Sequence, residues 1–130
     1  EGIMQPKGSI HLNIGKPLTS EEIEAAARCD KNDRYQLIRH AVDLRVIEGY
    51  KLWKNNYIAY DILNHSFKYS DYYSPVDMEQ FISYMTKKLD TVEPEINRED
   101  LRRIFLEIYA NPVVTKELLA KEKATGAILL

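Results

Sequence analysis

The chain has 130 residues, which is the length of one domain or of part of one. Apolar residues make up 45% and charged residues 29% of it, with five Gly and five Pro, so collagen-like and disordered chains are excluded. The net charge of −2 provides no basic field that would attract nucleic acid, and we expect no nucleic-acid partner.

The single cysteine, Cys29, can form neither an internal disulfide nor a Cys-rich zinc site, and this favours a reducing, cytoplasmic setting. No stretch approaches the ~18 apolar residues that a membrane-spanning helix needs. Residues 1–7 have no apolar core of a signal peptide, and the chain does not begin with Met. We therefore expect it to be a piece of a larger protein.

The first predicted element is a β-strand over residues 9–14, where apolar and polar side chains alternate. Ile10, Leu12 and Ile14 fall on one face of this strand, and His11 and Asn13 fall on the other. An isolated strand is not stable in water, and the rest of the chain predicts no second strand. The pattern therefore indicates a sheet whose other strands are missing.

Helices are predicted over most of the remaining chain. They cover residues 20–29, 33–48 and 56–64, and three more begin at Pro75, after Asn97 and at Pro112. The start signals are a Thr19–Glu22 capping box, a cap at Asp30 or Asn32, a cap at Asn55, Ser74 before Pro75, Asn97, and Asn111 before Pro112. Residues 65–73 and 92–96 are predicted to be loop and linker.

The helical stripes predict the core. Its expected members are Ile38, Val42, Phe81, Ile82, Leu101, Phe105 and Ile108. The predicted fold class is therefore mainly α: a helical domain with one short N-terminal strand that would belong to the sheet of a missing catalytic domain.

Residues 50–73 are unusually rich in Tyr, with a Trp and interleaved Lys. Three interpretations fit this segment: a structural corner whose Tyr hydroxyls reach the surface, a contact with a membrane surface or another domain, and a platform for single-stranded bases. The acidic balance of the chain weighs against the third.

Residues with catalytic chemistry do not form a recognisable set. His40 with Asp43, and Asp61 with His65, have helical spacing for a hydrogen bond or two metal ligands, but no third ligand is near in sequence. His11 is expected to be solvated or to face a partner, and Cys29 to be structural or incidental. We predict no catalytic, cofactor-binding or metal-binding residue, and no cofactor.

The segment from Lys7 to Leu18, Lys-Gly-Ser-Ile-His-Leu-Asn-Ile-Gly-Lys-Pro-Leu, resembles the last strand of the glycerolipid acyltransferase domain. In that family an alternating strand runs into Gly-x-Pro-Ile/Leu. Further along, Asn-Asp-Arg-Tyr from Asn32, Val-Ile-Glu-Gly-Tyr from Val46 and Tyr-Ala-Asn-Pro from Tyr109 are similar to the C-terminal region of bacterial members from the Bacteroides group.

The resemblance implies that residues 1–18 are the end of the catalytic domain and that residues 19–130 are a helical C-terminal extension. The family's catalytic motifs, His-x-x-x-x-Asp and Phe-Pro-Glu-Gly-Thr-Arg, do not occur in this chain. Lys16, Arg45 and Ser70 stand five residues after His11, His40 and His65. No catalytic residue is therefore transferred from the family to this sequence.

Two functions follow as expectations. In the first, the chain is the non-catalytic C-terminal part of a membrane-associated enzyme that acylates glycerol 3-phosphate or 1-acylglycerol 3-phosphate in phospholipid synthesis. That enzyme would lie in the cytoplasm, peripheral to the inner membrane, with segment 50–73 as a candidate membrane contact. In the second, the chain is a free-standing helical protein-interaction module. The sequence leaves open whether the chain belongs to an enzyme. Without its sheet, strand 9–14 would pair with a second copy to form a homodimer, or would lie as irregular coil.

Overall fold

The computed structural model describes residues 8–126 and is mainly helical, as predicted. Its elements are α1 (Ser20–Ala27), α2 (Lys31–Glu48), α3 (Lys54–Leu63), a short 3-10 helix (Ser70–Tyr72), α4 (Pro75–Leu89) and α5 (Arg98–Thr125). No β-strand is formed within residues 8–126.

The chain divides into two compact units. The first is Glu1–Lys51, in which α1 packs on α2, and the second is Leu52–Leu130, which contains α3, α4 and α5. No Gly, Pro or Ser cluster separates the two helical regions, so the composition does not indicate a division at this point.

Most helix starts agree with the predicted caps. The Thr19 hydroxyl accepts from the backbone N–H of Glu22, and the Glu22 carboxylate accepts from the N–H of Thr19, both at 3.1 Å. Of the two candidate caps for α2, Asp30 is the one used: its carboxylate accepts from the N–H of Asp33 at 3.0 Å. Ser74 and Asn97 cap α4 and α5 as predicted.

The cap predicted at Asn55 is wrong. Helix α3 begins at Lys54, and the side-chain carbonyl of Asn56 reaches back to accept from the backbone N–H of Trp53 at 2.7 Å. Asn56 also donates to the backbone carbonyl of Tyr109 at 2.8 Å, so its side chain ties the start of α3 to α5. The tertiary contact explains why Asn56, rather than Asn55, holds the helix start.

The helix start predicted at Asn111 and Pro112 is also wrong. Helix α5 continues from Arg98 to Thr125 with Pro112 inside it. A proline in a helix removes one backbone hydrogen bond and disfavours continuation by ~3 kcal/mol. Burial of Ala110, Val113 and Leu119 on both sides of the proline offsets this cost.

The core of the second unit lies where α3, α4 and α5 meet. Its fully buried members are Ile58, Ala59, Phe81, Met85, Leu106 and Ala110. Of the seven predicted core residues of the chain, Phe81 is buried as predicted. Ile38, Leu101 and Phe105 are half-buried. The prediction is wrong for Val42, Ile82 and Ile108, which are exposed. For α5 the reason is that apolar residues lie on most of its sides, and α3 covers the side that carries Leu106 and Ala110.

The residues of predicted strand 9–14 lie in irregular structure. A strand requires hydrogen bonds to a neighbouring strand, and residues 8–126 provide none. Of the two expected outcomes for this segment, irregular coil is the one seen in the single chain. Pairing with a second copy stays a prediction.

Candidate functional site

The Tyr-rich segment forms an ordered corner of the second unit. Tyr57 stacks on Tyr72 with 4.3 Å between ring centroids, and Tyr69 packs against both Tyr57 and Tyr60 at 5.0 and 5.2 Å. Aromatic pairs of this geometry contribute beyond their burial, by ~0.5–1.5 kcal/mol each. Four of the tyrosines therefore serve as packing for the turn after α3.

Asp61 is the buried polar centre of this corner, with 1% of its surface exposed. Its carboxylate accepts from the Ser66 hydroxyl at 2.7 Å, the Tyr73 hydroxyl at 2.8 Å and the backbone N–H of Tyr69 at 3.0 Å. Burial, followed by the hydrogen bond to Asp61, raises the pKa of Tyr73 to about 12. The three hydrogen bonds offset the cost of burying the Asp61 carboxylate, and they fix the turn over residues 65–73.

Glu117 of α5 forms a second carboxylate centre beside the first. It accepts from Lys68 at 2.5 Å, from Tyr60 at 3.2 Å and from the Tyr69 hydroxyl. Burial alone would raise the pKa of Glu117, but the hydrogen bonds from Lys68 and Tyr69 outweigh it, and the pKa is lowered. Burial of Tyr69, followed by its hydrogen bond to Glu117, raises the pKa of the Tyr69 hydroxyl. This centre joins the turn to α5.

The two candidate acid–base pairs, His40 with Asp43 and Asp61 with His65, do not form hydrogen bonds between their side chains. Asp61 is occupied by its three donors, and His65 is exposed, at a positive φ of 49° in the turn after α3. His40, Asp43 and His11 are exposed as well. Within the described part of the chain, no group of three or more His, Cys, Asp or Glu could hold a metal ion.

Cys29 is half-buried between α1 and α2. Its thiol donates to the backbone carbonyl of Ala25 at 3.4 Å, which is the local contact of a structural residue. None of the helices in the described residues is both long and apolar enough to cross a bilayer.

Arg45 is the polar centre of the first unit. It binds both carboxylate oxygens of Glu22, one of them at 3.0 Å, and donates to the carbonyl of Ala41 at 2.9 Å and to that of Pro17 at 3.3 Å. The hydrogen bonds from Arg45, and then from the backbone of Thr19, lower the pKa of Glu22 to about 2. One side chain thus joins α2, the start of α1 and the segment that precedes α1.

The segment before α1 is held along the end of α2. A Cβ on Gly49 would overlap the side-chain amide of Asn13, whose Cγ would be 2.6 Å away, and a Cβ on Gly15 would contact the Cβ of Arg45 at 3.4 Å. Asn13 and Gly15 therefore lie against α2, and the backbone carbonyl of Pro17 is joined to it by Arg45. The alternate residues, Ile10, Leu12 and Ile14, are 89%, 83% and 88% exposed.

The apolar row predicted for the strand is thus turned to solvent, and His11 and Asn13 are exposed as well. Sequence reasoning found this row but missed Arg45 and Glu117 as organising residues, because their partners are 23 and 49 residues away. Asp61 could have been found, since it lies between the apolar residues Ala59 and Ile62 on a helix.

No known protein family, curated protein or solved structure matches this chain.

Proposed function

We propose that the chain is the non-catalytic, C-terminal helical part of a membrane-associated glycerolipid acyltransferase. The enzyme transfers an acyl chain from a thioester to glycerol 3-phosphate or 1-acylglycerol 3-phosphate. Residues 1–18 end its catalytic domain, and residues 19–130 form the helical extension. Two observations support this proposal: the sequence resemblance, and the exposed apolar side chains and unpaired backbone of residues 9–14.

The observation that carries the proposal is the exposed row of Ile10, Leu12 and Ile14. Burying a large aliphatic side chain is worth ~1.5–3 kcal/mol, so three such residues in solvent forfeit a large stabilisation. No backbone hydrogen bond joins residues 9–14 to the rest of the described chain. Both features are expected of a sheet strand whose neighbours belong to another domain.

The membrane association of the enzyme is proposed to involve segment 50–73. Phe67 is 81% exposed in the stretch that follows α3, and Tyr72, in the same stretch, is exposed as well. Aromatic rings at a surface can enter the headgroup region of a bilayer. Sedimentation with vesicles of anionic phospholipid tests this step: Phe67→Ser should reduce the bound fraction several-fold, and an unchanged bound fraction would contradict the contact.

The proposal is tested on the natural gene product. Its reading frame before Glu1 should encode His-x-x-x-x-Asp and Glu-Gly-Thr-Arg, and the product should release thiol from an acyl thioester in the presence of a lysophosphatidic acid. The 130-residue chain should give no release above the uncatalysed rate, since it encodes neither the general base nor the phosphate-binding motif. Turnover by the 130-residue chain would contradict the assignment.

The alternative function is a free-standing helical interaction module. It predicts a natural product with neither motif and without turnover. The exposed row of residues 10, 12 and 14 would then be the contact surface for another protein.

A further inference from the structure

Exposed apolar side chains form a row along α5, on the side of the helix that is turned away from the core of the second unit. Ile104, Ile108, Val114 and Leu118 are 46%, 64%, 36% and 54% exposed. With ~3.6 residues per turn, all four lie within about 120° of one another around the helix axis. Leu106, which is buried in the core, lies on the opposite side.

The spacing of this row is symmetric about Asn111. Ile104 and Leu118 stand seven residues before and after Asn111, and Ile108 and Val114 stand three residues before and after it. Asn111 is exposed and belongs to the same side of the helix. Two antiparallel copies of α5 with a twofold axis at Asn111 therefore bring Ile104 opposite Leu118 and Ile108 opposite Val114, so that each apolar side chain of the row meets another.

We infer that the row on α5 is a dimer interface, and that its occupant is the same row of a second copy of this chain. At the twofold axis the two Asn111 side chains meet. A paired Asn within an apolar helix interface fixes the register and the orientation of the two helices, at a cost in stability. The inference concerns the second unit and does not depend on the proposed acyltransferase.

The charges beside the row agree with a second copy in this register. Asp100 and Arg103 flank the row near the start of α5, and Lys121 and Glu122 flank it near the end. In the antiparallel pair, Asp100 of one copy lies beside Lys121 and Glu122 of the other, and Arg103 is within one turn of the same Glu122. Parallel helices would instead bring each charge beside an identical one, which is unfavourable.

The area of the row indicates a weak dimer. The exposed fractions of its four side chains amount to about two whole residues, on the order of 350 Å² per copy, against ~800 Å² per partner in a standard interface. The polar residues beside the row add further area over the ~33 Å of helix from Asp100 to Glu122. We therefore expect a dissociation constant on the order of 10–100 µM.

Sedimentation equilibrium of the 130-residue chain from about 5 to about 500 µM tests the inference. The wild type should change from monomer to dimer over this range. Ile108→Lys should weaken association by ~tenfold or more, because it buries a charge of each copy near the twofold axis. Ala120→Lys, which adds the same charge at an exposed position on the other side of α5, is the matched control and should leave association unchanged. Equal circular dichroism shows that both variants are folded.

Disulfide cross-linking in a Cys29→Ser background tests the register, with oxidised glutathione as the oxidant. Asn111→Cys should link to the same residue of a second copy, because the twofold axis brings the two Cβ atoms together. Ile104→Cys alone should not link to itself. A mixture of Ile104→Cys and Leu118→Cys chains should give a mixed dimer.

A chain that stays monomeric up to ~500 µM would overturn the inference. A dimer that is lost with Leu12→Lys but kept with Ile108→Lys would overturn it as well, because residues 9–14 would then be the contact. Self-linking of Ile104→Cys as efficient as that of Asn111→Cys would contradict the antiparallel register.

Discussion

Two carboxylates, Asp61 and Glu22, each organise the polar contacts around them. Asp61 gathers donors from the turn that follows its own helix, and Glu22 receives the guanidinium of Arg45 while also closing the capping box of α1. Both contacts join elements that the apolar pattern alone does not bring together. Loss of either carboxylate should therefore destabilise all the elements that its contacts join.

Replacement of Asp61 by Ala should destabilise the second unit by about 2–4 kcal/mol. The Tyr73 and Ser66 hydroxyls and the N–H of Tyr69 would lose their acceptor in a buried place. Urea unfolding monitored by circular dichroism measures the change. Asp71→Ala, at an exposed position of the same turn, is the control and should stay within about 0.5 kcal/mol of the wild type.

The pair of Glu22 and Arg45 predicts a pH dependence of the first unit. Because folding lowers the pKa of Glu22 from 4.5 to about 2, its contribution is fully present above pH 4.5 and is lost as the pH falls through 2. Amide exchange in α1 should therefore be faster in Glu22→Gln than in the wild type at pH 6. The two proteins should converge toward pH 2.

Glu21→Gln, next to it on an exposed position of α1, is the matched control for this pH series and should follow the wild type throughout. A difference between wild type and Glu22→Gln that grows as the pH falls would contradict the assigned direction of the pKa shift.

The long helix α5 shows how an element can extend past a local stop signal. Pro112 lacks the N–H that would otherwise donate to the carbonyl of Ile108, four residues earlier. The helix continues because Leu106, Ala110 and Val113 are buried on one face. Tertiary packing therefore outweighs the intrinsic preference of the proline.

Pro112→Ala should raise the free energy of unfolding by about 1–2 kcal/mol, since it restores a helical hydrogen bond at the cost of some half-buried ring surface. Thermal unfolding measures this gain. Pro75→Ala provides the comparison: Pro75 is the first residue of α4, where no hydrogen bond is lost, and its replacement should lower stability slightly or leave it unchanged. A loss of stability in Pro112→Ala would show that the ring is needed for packing.

At the scale of the molecule, the two compact units differ in how much core each has. The second unit contains the cluster of Phe81, Ile58, Leu106 and their neighbours, whereas the first buries only Ala26 and Leu44 among its described apolar residues. Stability rises with the apolar surface buried. The two units should accordingly differ in stability.

A protein of residues 52–130 should therefore fold by itself, with helical circular dichroism and a cooperative thermal transition. A protein of residues 1–51 should have a weak and broad transition, if any. In the whole chain, the slowest amides should belong to α3 and α5. A cooperative transition of residues 1–51 alone would show that its polar contacts replace a core.

The sequence alone determined the features that depend on neighbouring residues. The caps at Thr19, Ser74 and Asn97 form as predicted, because a cap needs only a side-chain acceptor within three residues of the helix start. The mainly helical class follows in the same way from the spacing of apolar residues.

The tertiary structure decided what depends on distant partners. Tertiary packing selects the buried face of α5 and allows that helix to continue past Pro112. Asp61 and Glu117 accept hydrogen bonds from residues outside their own helices. Residues 9–14 have no neighbouring strand to pair with among the described residues, although their apolar and polar residues alternate as in a strand. The physical reason is that helical hydrogen bonds close within four residues, whereas a strand and a buried face exist only through what lies opposite them.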